Sequence, residues 1–140
     1  MHKFWSVLFV ASPLLLGCRQ APTASTQIVI GTIDAGGTLD RVITGPATGV
    51  VGERLSLTVS TFGNACITAA GADVNVGGLE ATVTPYDRAY QGACIDILKA
   101  YPRPVTVTFD QPGEATVRVV GRSFYQAGLV TVEHHLSISP

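Results

Sequence analysis

The sequence predicts an all-β domain, an antiparallel β-sandwich of about seven or eight short strands, on three observations. From Gln27 onward, apolar and polar residues alternate with period two. Glycine and proline interrupt these runs at short intervals, and helical spacing is nearly absent.

Taken in order, Ile28 to Ile33 and Leu39 to Thr44 are the first two candidate strands. Leu55, Leu57 and Val59 alternate with Ser56, Thr58 and Ser60, which sets one face of a third strand against a core. A short strand is expected at Asp73 to Val76, and another where Leu79, Ala81 and Val83 alternate with Glu80, Thr82 and Thr84. Val105, Val107 and Phe109 alternate with Thr106 and Thr108, and the pattern resumes at Ala115, Val117 and Val119. Between them, Gln111-Pro112-Gly113 suits a type II turn, so this pair reads as a hairpin. The last strand is expected from Leu129 to Ile138. Only Tyr86 to Pro104 breaks the rhythm: it is long for a connection, and Arg88 to Lys99 fits a short helix with Ile95 and Leu98 turned inward. The recurrence of Glu80-Ala81-Thr82-Val83 as Glu114-Ala115-Thr116-Val117 reflects shared strand chemistry and not duplication.

The closing portion, VTVTFDQPGEATVRVVGRS followed by LVTVEHHLSIS, resembles the final three strands of bacterial immunoglobulin-like domains. The resemblance implies an immunoglobulin-like antiparallel β-sandwich over 27–140. Beyond the leader there is no tryptophan, and the cysteines fall outside the expected opposing strands, so the antibody-type core pin is absent. A different sandwich or a partly open barrel are the alternatives.

The N-terminus carries a separate message. Lys3 precedes an apolar stretch from Phe4 to Leu16, which at helical rise reaches only roughly 20 Å, too short for a permanent membrane span. Leu15-Leu16-Gly17-Cys18 closes that stretch and resembles the lipobox of bacterial lipoproteins. The resemblance implies removal of a signal peptide at 1–17 and transfer of a diacylglycerol, with palmitate-type acyl chains, to the Cys18 thiol. Arg19 stands where that family carries an aspartate for inner-membrane retention, which implies a cell-envelope protein at the outer membrane in a Gram-negative host. Residues 18–26 then form the lipidated N-terminus and a flexible tether, small, polar and proline-containing.

Removing 17 of the 140 residues leaves 123, the size of one domain with one core. Seven arginines and Lys99 face ten carboxylates there, so the surface is nearly neutral and offers no electrostatic case for nucleic acid. With Cys18 lipidated, Cys66 and Cys94 remain in an oxidising compartment, where an isolated pair forms a disulfide.

Signals for chemistry are sparse. His134 and His135 are adjacent, so a strand sends them to opposite faces, with His134 in phase with the core and His135 facing solvent. Blue-copper ligation lacks its methionine once the leader is gone, and no zinc spacing is present. Asp73 and Asn75 share a face, but two oxygen ligands make no calcium site. No nucleophile elbow, metalloprotease helix or phosphate loop occurs, so no cofactor, metal or catalytic residue is expected. The candidate partner-binding residues are Tyr86, Arg88, Tyr90, Tyr101 and Arg103, where rigid aromatic area is combined with guanidinium donors. The expected function is a non-catalytic binding or structural role toward a protein or glycan partner in the cell envelope. The alternative is a small envelope enzyme or metal-binding β-sandwich.

Overall fold

Strands with one apolar face bury it against a second layer, and in the computed structural model, which describes residues 25–140, two sheets do this. Residues 1–24, with the leader, Cys18 and most of the tether, lie outside the described residues. The described residues form ten strands: β1 (Thr26–Ile30), β2 (Thr32–Asp34), β3 (Ile43–Thr44), β4 (Thr48–Val50), β5 (Leu55–Gly63), β6 (Ile67–Gly77), β7 (Glu80–Tyr90), β8 (Lys99–Val107), β9 (Gly113–Ser123) and β10 (Leu129–Ser139). A three-stranded sheet has the order β3-β5-β8. The larger, seven-stranded sheet runs β6-β7-β9-β10-β4, with β1 added on β7 and β2 on β9.

Period-two alternation sets the core as the sequence predicts. Leu55, Leu57 and Val59 of β5 and Val105 and Val107 of β8 are buried against Ala81, Val83, Ala115, Val117, Val119, Leu136 and Ile138 of the larger sheet. Ser56, Thr58 and Thr106, one residue out of phase, are exposed.

Several elements differ from expectation. Val105 to Phe109 and Ala115 to Val119 are not a hairpin: β8 lies in the small sheet and β9 in the large one, so Pro112-Gly113 closes an arch between layers. The reason is Phe109, fully buried between the sheets, which draws the chain across before the turn. Leu39 to Thr44 is not one strand but a 3₁₀ turn, Leu39–Arg41, followed by β3. The short strand expected at Asp73 to Val76 is the eleven-residue β6. No helix forms over Arg88 to Lys99, because β7 continues to Tyr90, paired with β6 on one side and β1 on the other, and β8 starts at Lys99. Pairing on both sides outweighs a weak local helical pattern.

The N-terminal segment enters the larger sheet as a wedge. β7 and β9 run parallel over 80–83 and 116–119. Beyond that point β1 lies antiparallel to β7, and after Gly31 the chain runs parallel to β9 as β2. Two glycines permit this close passage. A Cβ on Gly31 would collide with Thr61 Cγ2, and one on Gly121 would meet the Gly31 carbonyl oxygen at 2.8 Å. The carbonyl so admitted accepts the Arg122 N–H at 2.9 Å.

These directions place the ends of β5, β7 and β9 and the start of β8 at one end of the sandwich. The N-terminal chain is there too, since the Gln91 N–H donates to the Ser25 carbonyl at 3.2 Å. Thr26, expected in the tether, is the first residue of β1.

Candidate functional site

Three polar residues close the core at this end. Thr61, Asp87 and Arg103 occupy inward positions of β5, β7 and β8, in phase with Val59, Val83 and Val105, and Asp87 and Arg103 are only 1% and 5% exposed. Arg103 Nη2 is 2.7 Å from Asp87 Oδ1, which also accepts the Thr61 hydroxyl at 2.8 Å. The guanidinium donates further to the carbonyls of Tyr86, Gly71 (3.1 Å) and Tyr101 (3.1 Å). Its Nε has no partner among the described residues. A charge pair is tolerated inside a fold when hydrogen bonds replace its lost hydration, and here four further protein oxygens, the Thr61 hydroxyl and the carbonyls of Gly71, Tyr86 and Tyr101, bond to the two groups.

Arg103, expected at a binding surface, is therefore an internal residue that ties β8 to β6 and β7. The other four candidates do not converge on one patch. Tyr86, Arg88 and Tyr90 share the outer face of β7, while Tyr101 belongs to the smaller sheet. The Tyr86 hydroxyl donates to Asp73 Oδ2 at 3.0 Å, and this bond, with the aspartate charge, pushes its pKa above the usual phenol value. The Tyr101 hydroxyl donates to the Asn64 carbonyl, and burial, with the nearby Asp87 charge, raises its pKa. Lys99 Nζ lies 5.9 Å from the centre of the Tyr101 ring. Arg88 and Tyr90 remain exposed. Against β7, Ile28 of β1 and Thr68 of β6 flank Arg88 in register.

Cys66 and Cys94 form a disulfide with Cα atoms 5.6 Å apart. It fastens the eight-residue segment 91–98 to the turn between β5 and β6, aided by Tyr90 N–H donating to the Cys66 carbonyl at 2.9 Å. Beside it lies a cleft of about 110 Å³ lined by Phe62, Ile67, Phe124, Asn64, Asp87 and Arg122 among others, and a neighbouring hollow of about 290 Å³ adds Asp96, Ile97 and Leu98. No sequence motif marks this cleft, and Ile95 and Leu98, expected to turn inward from a short helix, are exposed because no helix forms to aim them at the core. The signal for the cleft is the apolar content of two connections, Ile95, Ile97 and Leu98 in one and Phe124 and Tyr125 in the other, all exposed.

The histidines behave as predicted: His135 is exposed on the outer face, and His134 points inward with Nε2 2.9 Å from the Pro46 carbonyl oxygen. Among the described residues no group of three or more His, Cys, Asp or Glu side chains is placed to hold a metal ion.

The strand edges differ in kind. β8, at the edge of the small sheet, carries Pro102 and Pro104, which remove two donors from its backbone. β4, at one edge of the large sheet, is three residues long. At the opposite edge β6 presents eleven residues, ITAAGADVNVG, paired on one side only. It holds no proline or lysine, and its single charge, Asp73, is engaged by Tyr86. Its inward residues Val74 and Val76 are exposed, because the three-stranded sheet does not extend over them. Compared with protein-family models, with curated proteins and with solved structures, the chain matches none.

Proposed function

We propose that this chain is a lipid-anchored protein of the bacterial cell envelope whose sandwich, of immunoglobulin-like type, binds an extended protein segment without catalysis. The observation that carries the binding reading is the free edge of β6. Apart from the Gly71 carbonyl, which accepts from Arg103, the outer edge of Ile67–Gly77 pairs with no other strand among the described residues and is a template for strand addition, and β6 lacks the prolines that guard β8. Val74 and Val76 offer apolar contacts for alternate side chains of the incoming strand. Arg88 and Tyr90, one strand inward on the outer face, supply a guanidinium and an aromatic ring beside it. A protein strand suits this edge better than a glycan, because Tyr86 and Tyr101 are held by their own hydrogen bonds and form no joint aromatic platform.

The antiparallel β5–β8 and β9–β10 pairs in facing sheets support the immunoglobulin-like reading. The parallel β7–β9 contact is a departure from it. The lipobox resemblance of Leu15-Leu16-Gly17-Cys18 supports the anchor and, with Arg19, an outer-membrane address.

The test is photo-crosslinking in intact envelopes, with the reactive side chain placed at Val74 on β6 or at Thr106 on β8. A discrete protein adduct from Val74 that is absent from Thr106 is expected, and combining Arg88→Ala with Tyr90→Ala should weaken it without altering the melting temperature. Adducts from neither position, or equally from both, would remove the strand-addition reading.

A further inference from the structure

We propose that the end of the sandwich bearing segment 91–98 and the β9–β10 connection lies against the lipid bilayer, with Ile95, Ile97, Leu98, Phe124 and Tyr125 seated in the interface. This inference rests on the lipid anchor proposed at Cys18 and adds an orientation and a second contact to it. The chain enters the fold at this end: the Ser25 carbonyl accepts from the N–H of Gln91, next to the segment that holds Ile95, Ile97 and Leu98. Cys18 and Ser25 are seven residues apart, and seven residues reach at most about 25 Å. The eleven-residue strands of the larger sheet span about 36 Å. With Cys18 at the membrane surface, the tether cannot lift this end far enough for the sandwich to stand upright on its opposite end.

The side chains at the two ends differ as this orientation requires. Near the N-terminal entry, all five apolar side chains are exposed, from 49% at Ile97 to 69% at Tyr125. Aliphatic groups with a phenylalanine and a tyrosine beside them match the composition that settles between headgroups and acyl chains. Exposed Arg41, Arg88, Lys99 and Arg122 are at this end, where long cationic side chains meet phosphate groups, together with the carboxylates of Asp34, Asp40 and Asp96, of which Asp34 is engaged by the Ser123 hydroxyl. The far end carries Glu53, Glu80, Asp110 and Glu114 against Arg54. The same connections line the open hollow of about 290 Å³ between Asn64 and Phe124, so their apolar groups are not folded back into the core.

The experiment uses the full chain produced in a bacterial envelope, its lipidation read by intact mass, and reconstituted into phosphatidylethanolamine and phosphatidylglycerol vesicles containing brominated lipid. The only tryptophan in the sequence, Trp5, is in the leader, so Phe124→Trp and, at the far end, Val50→Trp each provide a single reporter after processing. Both positions are exposed, so neither change threatens folding. Quenching of about twofold or more for Phe124→Trp, with none for Val50→Trp, is expected for a group in the interface. A lipidated protein in which neither reporter is quenched, or both equally, overturns the orientation and leaves the anchor standing. A mass without lipid overturns the anchor, and the orientation with it.

Discussion

At the scale of single residues, the Thr61, Asp87 and Arg103 cluster decides how much polar chemistry the core end can hold. Removing one partner leaves the other charge buried and unpaired, which typically costs about 3–5 kcal/mol. Arg103→Ala is therefore expected to lower unfolding stability by that amount, measured by urea denaturation. Asp87→Ala combined with Arg103→Ala should cost clearly less than the two single losses together, because the second change removes the stranded charge; additive losses would mean that the ion pair contributes nothing specific. Tyr86 supplies a pH test. Its folded pKa is raised by the hydrogen bond to Asp73 and the aspartate charge. Any stabilisation from this bond is complete below the ordinary phenol value and is lost as pH rises through the raised one. Absorbance titration at alkaline pH should show Tyr86 ionising late, and Asp73→Ala should bring it back toward the ordinary value. The inward place of Arg103 was legible in its phase with Val105 and Val107, but its residue type outweighed its phase in the sequence reading. What the phase does not contain is the pairing with Asp87, which depends on how β7 and β8 of opposite sheets face each other.

At the scale of elements, local alternation was enough to place β5, β9, β10 and the first half of β7, since each buries one face of a continuous period-two pattern. It was not enough for β6, where the inward residues Ala69 and Ala72 are small, a bulge shifts the register between them, and the pattern blurs. Nor does any local signal say that Pro112-Gly113 joins two layers instead of two neighbours. The disulfide belongs to this scale because it joins segment 91–98 to the β5–β6 turn across 28 residues of sequence. On the chain-entropy account, closing such a loop stabilises by roughly 3–4 kcal/mol. Cys94→Ser should lose about this much while far-ultraviolet circular dichroism keeps its β signature, because the strands on either side are held by their own pairing. Two free thiols in unreduced exported protein would contradict the bond itself.

At the scale of the whole molecule, the proposed anchor, orientation and binding edge make one arrangement. With the N-terminal end toward the membrane, β6 stands along the flank of the sandwich with its edge turned to the periphery, accessible to a partner above the bilayer. In this proposal the lipid on Cys18 carries the attachment, and the five apolar side chains add only a shallow contact. Each buried methylene of a lipid chain contributes about 0.8 kcal/mol, so two acyl chains hold firmly where an interfacial patch binds reversibly. The full chain carries nearly balanced charge, which excludes strong electrostatic attachment in its place. Cys18→Ala is therefore expected to abolish incorporation of labelled fatty acid and to move the protein from the membrane pellet to the soluble fraction. Because no buried sandwich residue is altered, the released chain should retain the melting temperature of its disulfide-bonded core. Continued pelleting of Cys18→Ala after a high-salt wash would mean that the sandwich itself, and not the lipid, holds the protein on the membrane.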